Sequence, residues 1–240
     1  MKIVPGTTVA VVPAAGSGRR MGARPPKQFL LLRGVPLLVR TLTALGRGQV
    51  IGGIVVVAPP AAVERTRRLL ARHRVGRVLA VIPGGRERQE SVWLGLQAVP
   101  AVADLIVVHD GVRPFVTEAL VRAVVEAARR FGAAACGLPI RETVKRAPGG
   151  IVGATVDRDG LWLVQTPQAF HRKLLSDAHE QARRDGFVGT DDAVLVERLG
   201  APVRMVQGLV ENVKITTSED LARARILVAA RAPAKSGWKR

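Results

Sequence analysis

The chain has 240 residues, 48% of them apolar, a formal net charge of +18 and a single cysteine. That length can bury one substantial core, and a lone Cys136 excludes an intrachain disulfide and a cysteine metal cluster. No apolar run approaches the roughly 20 residues of a membrane span, and 9–12 is too short for the apolar centre of a secretion signal, so a soluble, cytoplasmic protein with no membrane partner is expected.

The first predicted element is a β-branched apolar strand over 9–13. It opens directly into Pro-Ala-Ala-Gly-Ser-Gly-Arg-Arg-Met-Gly-Ala-Arg-Pro-Pro-Lys-Gln, residues 13–28. Gly16 and Gly18 let the backbone turn sharply and press its N–H groups against an anion. Arg19, Arg20 and Lys27 add positive charge around the same point. The stretch lacks the Walker pattern GxxxxGK[ST], and with Met21 three places after Gly18 it is not the dinucleotide fingerprint GxGxxG either. The reach from Gly16 to Lys27 suits a loop wrapped around a triphosphate.

An amphipathic segment at about 36–46 follows, and then apolar runs and helix-period segments alternate. Strands are predicted at 53–57, 78–82, 105–108, 133–138 and 203–206, and helices at about 60–73, 88–98, 117–131, 171–185, 190–199 and 218–230. This pattern predicts an α/β fold with a doubly wound, mostly parallel sheet and helices on both faces. Ligands of such sheets bind beyond the carboxyl ends of the strands.

Several polar breaks fall at those ends. Gly84 and Gly85, after the strand at 78–82, permit close approach to a flat base, with Ser91 nearby as either a site residue or a helix N-cap. His109-Asp-Gly-Val-Arg-Pro114 follows the strand at 105–108. Asp110 there is either a carboxylate for Mg²⁺ or a turn residue capping the next helix. His109 reads as structural, because no second histidine stands at ligand spacing. Lys214, between Val213 and Ile215, either snorkels from a strand or points at an anion.

One stretch breaks the alternation. Residues 141–165 carry turn signals at 148–150 and 159–160 beside short β-prone pieces at 143–145 and 151–156. This β-arm is too small for its own core, and a second subunit is the natural surface for it. Residues 231–240 are basic and aperiodic, a disordered tail after a single domain over 1–230. The charge does not predict a nucleic-acid partner. Arginines are scattered, with Arg65, Arg67, Arg68, Arg72 and Arg74 on one predicted helix and Arg122, Arg129 and Arg130 on another. Three tryptophans, five phenylalanines and no tyrosine make no stacking platform.

Taken in order, PAAGSGRRMGARPPKQF, GGRERQESVWLGL, VHDGVRP, ETVKR, VDRDGLWLVQTPQAF, TDD and ENVKITTSEDL make the chain, from about 7 to 230, similar to the 2-C-methyl-D-erythritol 4-phosphate cytidylyltransferases of the non-mevalonate isoprenoid pathway. The resemblance implies a Mg²⁺-dependent nucleotidyltransferase that moves CMP from CTP to 2-C-methyl-D-erythritol 4-phosphate, with a β-arm clasping the partner in a homodimer. It implies that Arg20, Lys27 and Lys214 grip the phosphates and that Asp110 holds the metal. Ala14, Ala15, Gly16, Gly85 and Ser91 are implied at the nucleotide, where the loop's own reading adds Gly18, and Thr143, Arg158 and Thr166 are implied at the acceptor. Arg158 is further implied to orient the acceptor for catalysis, and Thr143 and Arg158 to reach the other subunit's site. Arg113 matches a position near the site, and Arg86 stands where relatives can be acidic. The same CTP motifs would serve another polyol phosphate such as ribitol 5-phosphate, or a sugar-1-phosphate enzyme using UTP or GTP. A basic nucleic-acid-binding module is the reading of a different class.

Overall fold

Runs of β-branched residues buried on both sides build the central layer. A computed structural model describes residues 4, 7–16 and 26–230. Its strands are β1 (Thr8–Pro13), β2 (Leu31–Leu32), β3 (Val35–Pro36), β4 (Gly53–Ala58), β5 (Val78–Pro83), β6 (Leu105–Val108), β7 (Ala133–Pro139), β8 (Val144–Arg146), β9 (Ala154–Val156), β10 (Trp162–His171) and β11 (Arg204–Gln207). The helices are α1 (Leu37–Leu45), α2 (Val63–Arg72), α3 (Arg88–Gln97), α4 (Glu118–Phe131), α5 (Arg172–Arg184), α6 (Ala193–Arg198) and α7 (Ser218–Ala230). Seven strands form one sheet in the order β11-β7-β10-β6-β1-β4-β5. All neighbours run parallel except at β10, which is antiparallel to both β6 and β7.

The side-chain period of two divides the core into two layers. Ala10 and Val12 face Leu38 and Leu42 of α1 and Val121, Val124 and Ala128 of α4. Val9 and Val11 face Val92 and Leu96 of α3, Leu175 and Ala178 of α5, and Leu195 and Val196 of α6. Helices therefore cover both faces, as the alternation predicted. A third, smaller cluster sits above the sheet's carboxyl edge, where Leu32, Leu37, Phe115, Ile215 and Ala224 pack with Leu30, Val213, Leu221 and Val228.

Every strand predicted from the alternation is present, within one residue at each end. The short β2–β3 hairpin was not predicted, and neither was one strand of the main sheet: β10, ten residues long and inserted in its middle. Pro167 hides it, because proline cannot donate to a ladder and normally demotes a run to an edge. The ladder accommodates it through a register shift between Gln165 and Gln168 on the β7 side. This corrects the arm's boundary, since 162–165 belong to the sheet. The arm is closed at its base by the Ile140 N–H donating to the Leu161 carbonyl at 3.0 Å, and within it Val144–Arg146 pair antiparallel with Ala154–Val156. The tail at 231–240 lies outside the described residues. Among the described residues no helix is long and apolar enough to cross a membrane.

Candidate active site

Three strand ends converge on the carboxyl edge, and small residues let them. After β1 the Ala14 N–H donates to the Val57 carbonyl at 2.8 Å, which holds the loop against β4. Ala15 lies so close to Gly84 that a Cβ on Gly84 would stand 2.4 Å from the Ala15 Cβ. A Cβ on Gly111 would stand 3.0 Å from the Ala14 Cβ. Among the described residues nothing would meet a Cβ on Gly16 within 4 Å. Gly18, Arg19 and Arg20 lie outside the described residues.

Ser91 is not the N-cap of α3; that position is Glu87, and Ser91 lies inside the helix. Its hydroxyl donates to the Glu87 carbonyl at 3.0 Å and accepts from the Gly85 N–H at 3.2 Å. The Glu90 carboxylate accepts from the Arg86 N–H at 2.7 Å and leaves no room for a Cβ on Gly85. Two α3 side chains thus tie down the Gly84–Arg86 turn.

Asp110 lies just beyond β6 and does not cap α4, whose N-cap is Thr117, its side chain accepting from the Leu120 N–H at 3.2 Å. Three cations meet its carboxylate. Oδ1 accepts from Arg88 Nε at 3.2 Å; Oδ2 lies 2.9 Å from Lys214 Nζ and 3.5 Å from Arg113 Nε. Burial alone would raise the carboxyl pKa, but Arg88, Lys214 and Arg113 outweigh it and hold Asp110 well below the usual carboxylate range. Lys214 lies in no strand, and its ammonium points at the Asp110 carboxylate.

The register of β10 places Thr166 beside Asp110. Gln168 opposes Val108, so two residues further along each antiparallel strand the Thr166 Oγ1 accepts from the Asp110 N–H at 3.0 Å. The same hydroxyl meets His109 Nδ1 at 3.2 Å, while His109 Nε2 meets the Arg113 carbonyl at 3.1 Å. A carbonyl only accepts, so Nε2 carries the proton and Nδ1 accepts from the Thr166 hydroxyl. Burial pushes the His109 pKa down to about 4, consistent with this neutral tautomer. His109 is structural, as read from the sequence.

Residues not singled out earlier extend the network. Arg88 also donates through Nη1 to Asp192 Oδ2 at 2.7 Å, and Asp192 Oδ1 lies 3.1 Å from His179 Nε2. Gln168 Oε1 accepts from the Asp192 and Ala193 N–H groups, and its Nε2 donates to Asp191 Oδ2 at 2.7 Å. Asn212 Nδ2 donates to the Thr166 carbonyl at 2.8 Å, and the Asn212 carbonyl accepts from Arg113 Nη1 at 2.7 Å. This anchors the segment carrying Lys214. The turn carrying Lys27 (Lys27–Phe29) leads into Leu30 and Leu32, which pack in the third cluster with Val213 and Ile215.

Thr143 and Arg158 stand apart. Both are exposed on the arm, and the Arg158 guanidinium donates to the Arg141 carbonyl. Among the described residues no hydrogen bond or ion pair joins either one to the Asp110 network. No group of three or more His, Cys, Asp or Glu side chains converges among the described residues. The residues present therefore fit a cation held by one carboxylate, Asp110, with the remaining positions left to water and phosphate oxygens, as Mg²⁺ is commonly held. Lys214 is 37% exposed and can yield Oδ2 to such an ion.

A mostly parallel seven-stranded sheet with flanking helices and an ion-pair network at its carboxyl edge defines an α/β fold of the nucleotidyltransferase type. The model of the 2-C-methyl-D-erythritol 4-phosphate cytidylyltransferase (IspD) family matches residues 8–230, and the chain belongs to that family. The chain is 48% identical over 222 residues to the 2-C-methyl-D-erythritol 4-phosphate cytidylyltransferase of Geobacillus kaustophilus, covering 92% of this chain and 97% of that one. It is 46% identical over 218 residues to the protein of the same name from Syntrophus aciditrophicus, covering 90% and 93%. Among solved structures, the 2-C-methyl-D-erythritol 4-phosphate cytidylyltransferase of Thermus thermophilus is 40% identical, with a TM-score of 0.78 over 92% of this chain and 98% of that one. The 4-diphosphocytidyl-2C-methyl-D-erythritol synthase of Anaerococcus prevotii is 30% identical, with a TM-score of 0.81 over 93% and 99%.

Proposed function

We propose that this chain transfers the cytidylyl group of CTP to 2-C-methyl-D-erythritol 4-phosphate, releasing pyrophosphate and forming 4-diphosphocytidyl-2-C-methyl-D-erythritol, as a Mg²⁺-dependent homodimer. Family membership and the cluster of Lys214, Arg88 and Arg113 around Asp110 support this reading, and the cluster is the single observation that carries the mechanism. A 4-phosphate oxygen attacks the α-phosphorus in line, the new P–O bond forms, and the bond to pyrophosphate breaks. The acceptor phosphate has a second pKa of about 6 and is already a nucleophilic dianion at neutral pH, so no general base is needed. The obstacle is repulsion between anions and the charge that builds on the leaving group.

Fixed cations answer that obstacle. Lys27, Lys214 and Arg20 neutralise the triphosphate. Asp110 keeps Lys214 extended toward the site before substrate arrives, at 2.9 Å. When bound, Mg²⁺ draws charge from the phosphate oxygens, and Asp110 is the residue that would hold it. Ala14, Ala15, Gly16, Gly18 and Gly85 line the nucleoside with backbone groups, and Ser91 shapes the Gly85 turn beneath it. The hydroxyl proton of Thr166 is committed to His109 Nδ1, so Thr166 meets the acceptor only as a hydrogen-bond acceptor and faces one of its hydroxyls, not its phosphate.

Thr143 and Arg158 complete the acceptor pocket from the partner's arm. A two-stranded hairpin is marginal by itself, and this one carries Ile151 at 78% and Val152 at 62% exposure. Those side chains are covered by the second protomer. The test is pyrophosphate release from CTP and Mg²⁺ with 2-C-methyl-D-erythritol 4-phosphate, beside ribitol 5-phosphate and no acceptor. Release with the methylerythritol acceptor alone is expected; release only with ribitol 5-phosphate, or none from folded protein, contradicts the proposal.

A further inference from the structure

A cavity of about 570 Å³ lies behind the Asp110 loop and outside the site just described, lined by Arg33, Val35, Arg40, Arg47, Phe115 and Val228 among others. Its size is that of a small-molecule site, within the roughly 300–1,000 Å³ range. No aspartate or glutamate lines it. Among the described residues Arg33, Arg40 and Arg47 are not paired to any carboxylate, and Arg33 and Arg40 stand close enough to interact.

The fold fixes one of the three guanidinium groups, and the other two are exposed at the rim. Arg40 donates through Nε to the Leu32 carbonyl at 2.7 Å, so a backbone oxygen of the β2–β3 hairpin fixes its guanidinium. Burial and the neighbouring Arg33 both lower the Arg40 pKa, the mark of positive charge without a counterion. Arg47 lies two residues past the end of α1 and also lines the cavity. Arg33 has a left-handed backbone, φ 50°, followed by Gly34 at φ 77°. Two-residue hairpin turns with both φ positive favour Asn-Gly, so the backbone gains nothing from an arginine at the first place. Its side chain is what the position presents to the cavity.

The floor is apolar. Phe115 is 3% exposed and belongs to the third cluster, on which Val228 also packs. Cations at the rim and an apolar floor without a carboxylate select one chemistry. We propose that this cavity is a second anion site, separate from the catalytic one, for a small molecule carrying a phosphate group on an apolar body. The rim arginines take the phosphate, and Val35, Phe115 and Val228 take the body.

The test is calorimetric titration of the full chain with hexyl phosphate, inorganic phosphate and hexanol. Three proteins are compared: unmodified chain, the double variant Arg33→Asn/Arg47→Gln, and the double variant Lys27→Ala/Lys214→Ala. Hexyl phosphate is expected to bind the unmodified chain and the lysine variant alike, and to bind Arg33→Asn/Arg47→Gln at least about tenfold more weakly, since two charge-assisted contacts are lost. Inorganic phosphate is expected to bind more weakly than hexyl phosphate, and hexanol not at all. Arg33→Asn alone should keep or raise Tm, because asparagine suits the turn, and the arginine double variant should keep basal pyrophosphate release. Undiminished binding by the arginine variant, loss of binding in the lysine variant, or no saturable binding to the unmodified chain each overturns the proposal. Equal affinity for inorganic and hexyl phosphate overturns the apolar part of the assignment.

Discussion

The Asp110 network and the arm are built on opposite plans. Asp110 is fixed by three cations, by its own N–H on Thr166 and by a chain of partners reaching His179 and Gln168. The arm has two three-residue strands, exposed apolar side chains, and functional candidates whose bonds stay within the arm. In the proposed function Asp110, Lys214 and Thr166 therefore act within one protomer, and Thr143 and Arg158 act in the partner's site. A substitution in the first region should damage chemistry or stability in an isolated subunit. One in the second should be reparable by another subunit.

The largest effect is expected at Arg88, which bridges two buried carboxylates. Arg88→Met should cost about 3 kcal/mol of stability, because it leaves Asp110 and Asp192 short of a partner; Arg88→Lys should recover part of it. Denaturant midpoints for the two variants measure this, and equal midpoints for Arg88→Met and the unmodified chain would break the picture of an over-determined network. Next comes Lys214→Ala, expected to lower kcat by about 10²–10³ through loss of transition-state charge stabilisation, with little change in Tm because Lys214 is 37% exposed. Steady-state turnover near normal would remove Lys214 from the chemistry.

Arg158→Ala should act on the other side of the comparison. It is expected to raise KM for the acceptor by about tenfold, the loss of one charge-assisted contact, with KM for CTP unchanged. A selective rise in the CTP KM would move Arg158 out of the acceptor pocket. The smallest effect is at Cys136, on the strand from which the arm departs. It is fully buried, and burial pushes its thiol pKa up to about 12. Its labelling by a thiol reagent should track global unfolding; fast labelling in native protein would mean that β7 opens with the arm.

The sequence made the strand ends legible because apolar runs and Gly84, Gly85, Asp110 and Lys214 are local signals. What joins them is not local. Arg88 and Asp192 are 104 residues apart and meet only when α3 and α6 cover the same sheet face. No spacing rule reveals that pair, although both residues lie within quoted motifs. β10 was obscured by Pro167, and with it went the register that sets Thr166 against Asp110 and commits its hydroxyl proton to His109. The arm, by contrast, was recognised because it breaks the alternation, and only its end was drawn four residues too late.

The most direct test of a site divided between protomers is complementation. Lys27→Ala and Arg158→Ala chains, each poorly active alone, are co-expressed with different tags and the mixed dimer is purified. If the arm serves the partner's site, one of the two sites in that dimer carries both an intact Lys27 and an intact Arg158, and activity should rise to about half that of the unmodified dimer. A verified mixed dimer no more active than its parents would contradict the division, and would return Arg158 to its own protomer or exclude it from the reaction.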